Sequence, residues 1–182
     1  TPAGIWPRHR GSPDGPASAR TAVSMLHAGV LMKLGAYGVV RVGMGLLPEG
    51  AADLAWLVGT IACVNIVYGA LSSMAQTDLK YVIAYSSVSH MGLVMLGAAT
   101  LTEPGLNGSV FQMFAHGVMT GLFFALVGLV YEKTHSREIF KMSGFGKAMP
   151  GIATAFTIGG LSSLGLPAPA GFVAELLTFL GA

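Results

Sequence analysis

Charge is what this sequence has least of. Ten of its 182 residues are Lys or Arg and eight are Asp or Glu, 10% in all, where a soluble domain carries about 25%. A chain this poor in charge and 53% hydrophobic, with a mean hydropathy of +0.66, belongs in a bilayer. The formal charge of +2 gives no basic surface for a nucleic acid. Cys63 is the sole cysteine, which excludes an internal disulfide framework and a thiolate metal site, and it reads as a small buried hydrophobe. No GxGxxG, P-loop, CxxC or HExxH pattern occurs, so nucleotide and redox chemistry have no place to sit. The first twenty residues hold Arg8, Arg10 and Arg20 among Pro2, Pro7, Pro13 and Pro16. They lack the apolar core of a signal peptide and are read as a disordered or unrelated stretch, residues 1–20. The abrupt start at Thr1 and the stop at Ala182 within an apolar run lead us to expect a piece of a longer protein.

What is abundant is long apolar sequence. Four segments, about 21–47, 52–76, 79–101 and 105–131, reach the roughly 20 residues a spanning helix needs. A fifth run, from about 150 to 182, is interrupted between Gly165 and Gly171, where Pro167 and Pro169 each remove a backbone donor. Backbone broken at membrane depth survives only inside protein or against a water-filled cavity. The expected fold is therefore all-α, a polytopic transmembrane bundle over residues 21–182 with a discontinuous final helix. The 26 glycines suit helices that approach closely.

Lys and Arg mark the cytoplasmic side of a membrane protein. Arg8, Arg10 and Arg20, then Lys80, then Lys133, Arg137, Lys141 and Lys147 all fall in loops on one side, whereas Glu49, Asp53 and Glu103 fall on the other. Residues 1–20, 77–80 and 132–149 are thus expected in the cytoplasm. Between Tyr131 and Pro150 the apolar Ile139, Phe140, Met142 and Phe145 suit either a short interfacial helix or a solvated loop.

Four strongly ionisable residues remain inside the apolar segments: Lys33, His90, His116 and Glu175. The first three lie about twelve residues into their helices, which at ~1.5 Å per residue is close to the midplane. Glu175 follows the interrupted stretch and reaches a similar depth. A charge at the bilayer centre costs about 2.5–3.5 kcal/mol even on mild scales. One such residue on each of four helices at one level points to a proton relay across the bundle, parallel to the membrane. Each histidine alone also fits a hydrogen-bonded core residue. Gln76–Gly92 is the most distinctive stretch, running from Asp78 and Lys80 into Tyr85, Ser86, Ser87, Ser89 and His90. Lys80 reads as proton uptake or as half of a solvated ion pair with Asp78, His27 as part of a cytoplasmic path or a packing residue, and His135 as exposed.

Several strings carry a resemblance: Leu26 to Gly38 (LHAGVLMKLGAYG), QTDLK and IAYSSVSHMG within Gln76 to Gly92, FQMFAHG at 111–117, YEKTHSRE at 131–138, and LGLP followed by GFVAE ending at Glu175. Over about 21–182 the chain resembles the antiporter-like membrane subunit M of respiratory NADH:quinone oxidoreductase, complex I, in the part towards that subunit's C-terminus. The resemblance implies two inverted five-helix repeats with two broken helices in the whole subunit. It also implies a relay in which Lys33 is the central proton carrier, His90 and His116 continue the hydrophilic axis, and Glu175 ends it towards the neighbouring subunit. It implies a translocase subunit of a bacterial inner membrane with no cofactor on this chain; NADH, FMN, iron–sulfur clusters and quinone would belong to partner subunits. The implied partners are the other membrane subunits, above all the adjoining antiporter-like ones, and lipid, with no nucleic acid. A subunit of a cation/proton antiporter or of a membrane-bound hydrogenase, and a non-conducting truncated remnant, stand as alternatives. The chain departs from the family at Ala19-Arg20-Thr21, where Ala-Pro-Thr is usual, and at Pro16, where a His is common.

Overall fold

A computed structural model describes residues 4–167 and 169–182. Residues 1–3, Pro2 among them, and Ala168 within the expected break lie outside the described residues. Helix α1 is Gly11–Ser18, and α2 is Thr21–Met44, which widens into π-type turns at His27–Leu31 and Val39–Met44. Then come α3 (Pro48–Met74), α4 (Leu79–Ala99), α5 (Glu103–Thr134), α6 (Pro150–Ser163) and α7 (Ala170–Gly181). Helices α2 to α5 are each long and apolar enough to cross a membrane.

Local chemistry sets the ends of these helices. The Asp78 carboxylate accepts from the Lys80 N–H (2.8 Å), and Thr102 Oγ1 accepts from the Gly105 N–H (3.3 Å), so each side chain satisfies a first-turn donor. Pro48 and Pro104 stand in first turns, where no intrahelical donor is needed. Helix α5 stops at His135, whose left-handed backbone (φ 51°) returns its N–H to the Tyr131 carbonyl. His135 is exposed there.

Helix α4 is the centre of the bundle. Two thirds of its apolar window is buried (67%), against 17% for α3, which turns Trp56, Val67 and Leu71 outward together with Cys63. Cys63 is therefore not the buried hydrophobe its apolar neighbours suggest. Met32, Met91, Val94 and Phe124 form the core where α2, α4 and α5 meet. Along α5, Phe123 packs on Phe156 of α6 (centroids 6.0 Å), while Gly108 packs on Thr178 of α7. A Cβ at Gly108 would stand 2.6 Å from the Thr178 backbone nitrogen, so only glycine permits this approach. Helices α6 and α7 thus cover opposite halves of α5, and the interruption between them falls at its middle. This is the discontinuous final helix expected from Pro167 and Pro169.

Residues 4–20 are packed into the bundle rather than disordered. Gly4, His9, Ser12, Pro13, Pro16 and Ala17 are buried, and α1 packs on α4. The Trp6 N–H donates to Asn65 Oδ1 (3.0 Å), while Asn65 Nδ2 donates to the carbonyls of Gly4 (3.3 Å) and Val88 (2.8 Å). Val88 is two residues from His90, so non-helical backbone at residues 4–6 sits deep in the bundle, and only the end of α1 reaches the level of Lys80. The residues that satisfy this backbone lie elsewhere in the chain, which is why composition hides the order.

The segment after α5 is neither a free loop nor one interfacial helix. Leu79 N–H donates to the Arg137 carbonyl (3.0 Å) and Ile139 N–H to the Thr77 carbonyl (2.9 Å), pinning it beside the start of α4. Short turns at Ile139–Lys141 and Phe145–Ala148 follow; Ile139, Met142 and Phe145 face a cavity of about 320 Å³ with Leu79 and Phe156, whereas Phe140 is exposed.

Candidate proton-relay site

His90 of α4, Gln112 and His116 of α5, and Glu175 of α7 converge where α6 gives way to α7. Gln112 and His116 are one turn apart on the same face of their helix. The His90 and His116 rings lie 5.0 Å apart between centroids, tilted by 34°. Gln112 Nε2 donates to His90 Nδ1 (3.2 Å), and Glu175 Oε1 stands 3.7 Å from the same nitrogen. That separation becomes an ion pair only when the imidazole is protonated. Neither nitrogen of the His116 ring, 1% exposed, nor Gln112 Oε1 has a hydrogen-bond partner among the described residues. These groups, with Ala115, Met119, Ser162 and Gly171, enclose a cavity of about 10 Å³, on the order of the room one water needs.

The break makes room for the carboxylate. Gly165 has φ +62°, and the Glu175 carboxyl group occupies the space a Cβ there would take. A side chain at Gly165 would strain the backbone and push Glu175 aside. The interruption thus delivers an acid to a histidine pair at the middle of α5.

Lys33 is buried but does not join this cluster through a hydrogen bond. Its amine donates to the Ala28 carbonyl of its own helix, five residues back, a reach opened by the π-type turn at His27–Leu31. Gly29 and Gly117 bring α2 and α5 into backbone contact here, and the Lys33 stem lies beside Gly117, the residue after His116. The structure therefore brings His90, His116 and Glu175 together and leaves Lys33 across the α2–α5 contact at their level.

Lys80 is placed apart from all of these. It is 5% exposed and donates to the Ala19 carbonyl (2.6 Å) and Ser24 Oγ (3.2 Å). Arg137 donates to the Ala17 carbonyl (3.0 Å) and pairs with Asp78 (Nε–Oδ2 3.3 Å). Two cations thus close the carbonyl end of α1, where they also complement the negative end of the helix dipole. Asp78 pairs with Arg137, and Lys80 with the Ala19 carbonyl and the Ser24 hydroxyl. Lys80→Met is expected to destabilise the folded chain by about 2 kcal/mol, the scale of charge-assisted hydrogen bonds, and Lys80→Arg by less. Thermal inactivation of the complete membrane assembly checks this.

Sequence reasoning passed over Gln112, whose place one turn before His116 was the available signal. It also passed over Asn65 and His9, which matter only once the first residues are seen to fold inward. His27 lies half-buried against Gly15 of α1.

Half-helices that meet at the depth of buried ionisable side chains define a class of integral membrane protein with a polar site inside its helix bundle. The chain belongs to the family described as "NADH:quinone oxidoreductase/Mrp antiporter, TM", whose profile matches residues 1–182. It is 44% identical over 177 residues to "NAD(P)H-quinone oxidoreductase chain 4-3" of Nostoc sp., covering 97% of this chain and 32% of that protein. It is 46% identical to "NAD(P)H-quinone oxidoreductase chain 4 3" of Picosynechococcus sp., again covering 97% and 32%. The chain thus spans about a third of the length of these relatives. Among solved structures it is similar to a chain of respiratory complex I from Thermus thermophilus, with a TM-score of 0.94 and 34% identity over 100% of this chain and 39% of that one. The Mrp complex from Dietzia sp. shares the fold with a TM-score of 0.93 at 24% identity, covering 99% and 34%.

Proposed function

We propose that this chain forms part of a proton-translocating subunit of a membrane-bound NADH:quinone oxidoreductase, and that protons move through it along Lys33, His116, His90 and Glu175. The observation that carries the reading is the meeting of His90, His116 and Glu175 at a break in the final helix. Higher identity to the complex I chain than to the Mrp complex, 34% against 24%, favours the oxidoreductase over the antiporter. Electron transfer then belongs to other subunits, and the neighbouring membrane subunits are the partners.

The chemistry follows from the groups. Neutral His90 accepts from the Gln112 amide at Nδ1; once protonated there, it donates instead, with Glu175 Oε1 as the facing acceptor and the Gln112 carbonyl as the other after the amide rotates. Gln112 therefore serves both charge states of the ring. One water in the small cavity would pair one His116 nitrogen with Gln112 Oε1 and so link His116, through Gln112, to His90. A proton on Lys33 raises the cost of a proton on either ring, so the charges advance in turn rather than together.

Glu175→Gln tests this in the complete subunit, assembled with its partners and reconstituted in vesicles with a pH-sensitive dye. The amide keeps shape and hydrogen bonding but cannot take a negative charge. Proton movement per electron is expected to fall severalfold while electron transfer and assembly persist. Unchanged proton movement would remove Glu175 from the path, and a wild-type subunit that never moves the dye would favour a non-conducting part.

A further inference from the structure

Helix α1 carries a second set of buried polar groups that the relay does not use. His9 is 5% exposed; its Nε2 meets the Tyr68 hydroxyl of α3 at 3.0 Å, with the rings edge to face. Its other nitrogen, Nδ1, is buried and makes no hydrogen bond of ordinary geometry, with the Pro7 carbonyl near the ring, and the Oγ of Ser12, 2% exposed, has no partner among the described residues. Leaving such groups unpaired costs about 1–3 kcal/mol each, so their presence calls for a role beyond packing. Ser12 is held one turn after His9, its N–H donating to the His9 carbonyl (2.8 Å). A side chain at Gly4 would collide with Ser12 Oγ (2.8 Å) and with Met32 (2.9 Å), the residue before Lys33. The two unpaired atoms thus lie in the layer of protein between Tyr68 and the Lys33 helix.

We propose that His9, with Tyr68 and Ser12, forms a proton-loading site that feeds Lys33 from the side of the bundle holding Lys80 and Arg137; the inference rests on the relay reading above. Imidazole suits the task because its two nitrogens face different neighbours. A proton passes from the Tyr68 hydroxyl to Nε2 while that hydroxyl takes another from the outer side. The imidazolium then releases the proton on Nδ1 inward past Ser12, which leaves the ring neutral in its Nε2–H tautomer, and a turn of the ring about Cβ–Cγ returns a bare nitrogen to Tyr68 for the next proton. The charged and titratable groups that face it are Arg10 and Asp14 on its own segment and Tyr68 on α3; Tyr85 of α4 lies within reach of Tyr68, Asp14 and Arg10, Tyr81 is beside Tyr85, and His27 of α2 stands against Gly15. Arg10 and Asp14 are exposed, and the three tyrosines partly so, which gives the site a polar rim. His90 faces α5 and α7 instead, so this site and the relay occupy different interfaces of α4.

The test uses the complete complex in vesicles. His9→Gln offers Tyr68 an amide but cannot be protonated; it is expected to lower proton movement per electron at least threefold, with assembly and electron transfer kept. It should also flatten the dependence of proton movement on pH between about 5 and 8, the range in which imidazole changes charge, which a packing defect would not do. Ser12→Ala is expected to lower proton movement without altering that profile. Wild-type proton movement and pH profile in His9→Gln would overturn the inference. Should His9→Gln fail to assemble, full proton movement in Ser12→Ala would overturn it. Glu175→Gln measured in parallel separates the readings: if it is impaired while His9→Gln is normal, only the loading site falls; if both are normal, the relay falls too.

Discussion

Asn65→Leu is expected to destabilise the folded chain by about 3–5 kcal/mol. Asn65 is 0% exposed and uses three hydrogen-bonding positions, accepting from the Trp6 N–H and donating to the Gly4 and Val88 carbonyls. Leucine nearly matches its volume, so no large cavity or overpacking contributes. What is lost is the partner of three backbone groups, each worth about 1–3 kcal/mol when buried and unpaired. Val88 lies inside α4 and keeps its helical bond, so its loss is the mildest; Gly4 and Trp6 belong to non-helical backbone and have no ladder to return to. The first residues are then expected to leave the bundle, exposing Met32 and Ser12. Thermal inactivation of the assembled complex reads the effect, with Val64→Leu, on the outward face one residue earlier, as a silent control. A midpoint within about a degree of wild type, where roughly 1 kcal/mol moves a domain by several degrees, would show that Asn65 does not hold this segment.

Asn65 also separates what is local in this sequence from what is not. Hydropathy and length located the four spanning helices because both are local properties, and Pro167 and Pro169 located the broken one for the same reason. Counting residues from the helix ends also placed His90 and His116 at one level, since rise per residue is nearly constant. The partners of the first twenty residues are not local: Asn65 bonds Gly4 across 61 positions, and Arg137 bonds Ala17 across 120. A stretch whose hydrogen bonds come from so far away looks unstructured in its own composition. Lys33 shows a subtler limit. A helix counted at 3.6 residues per turn offers a lysine no carbonyl five residues back, and only the π-type turn at His27–Leu31 creates one. Gln112 was overlooked because an amide carries no charge, although its position one turn from His116 put it on the same face.

Replacing His116 by Leu is expected to move stability and transport in opposite directions. The ring is almost fully buried, and neither nitrogen has a protein partner. An apolar residue of similar size removes two polar atoms that no protein group pairs, at the cost of some contact area, so the folded subunit is expected to be as stable as wild type or more so, by up to about 2 kcal/mol. Proton movement is expected to fall at least tenfold. The lost ring stands between the Lys33 stem at Gly117 and the His90 imidazole, and no other ionisable side chain lines the cavity there beyond His90 and Glu175. Glu175→Gln leaves both rings in place and interrupts only the last step, which is why its effect is expected to be smaller. A histidine kept for packing would show the reverse pattern, with lower stability in His116→Leu and proton movement preserved. Measuring the two quantities on the same reconstituted sample decides between them, because one structural defect cannot raise the inactivation midpoint while emptying the path.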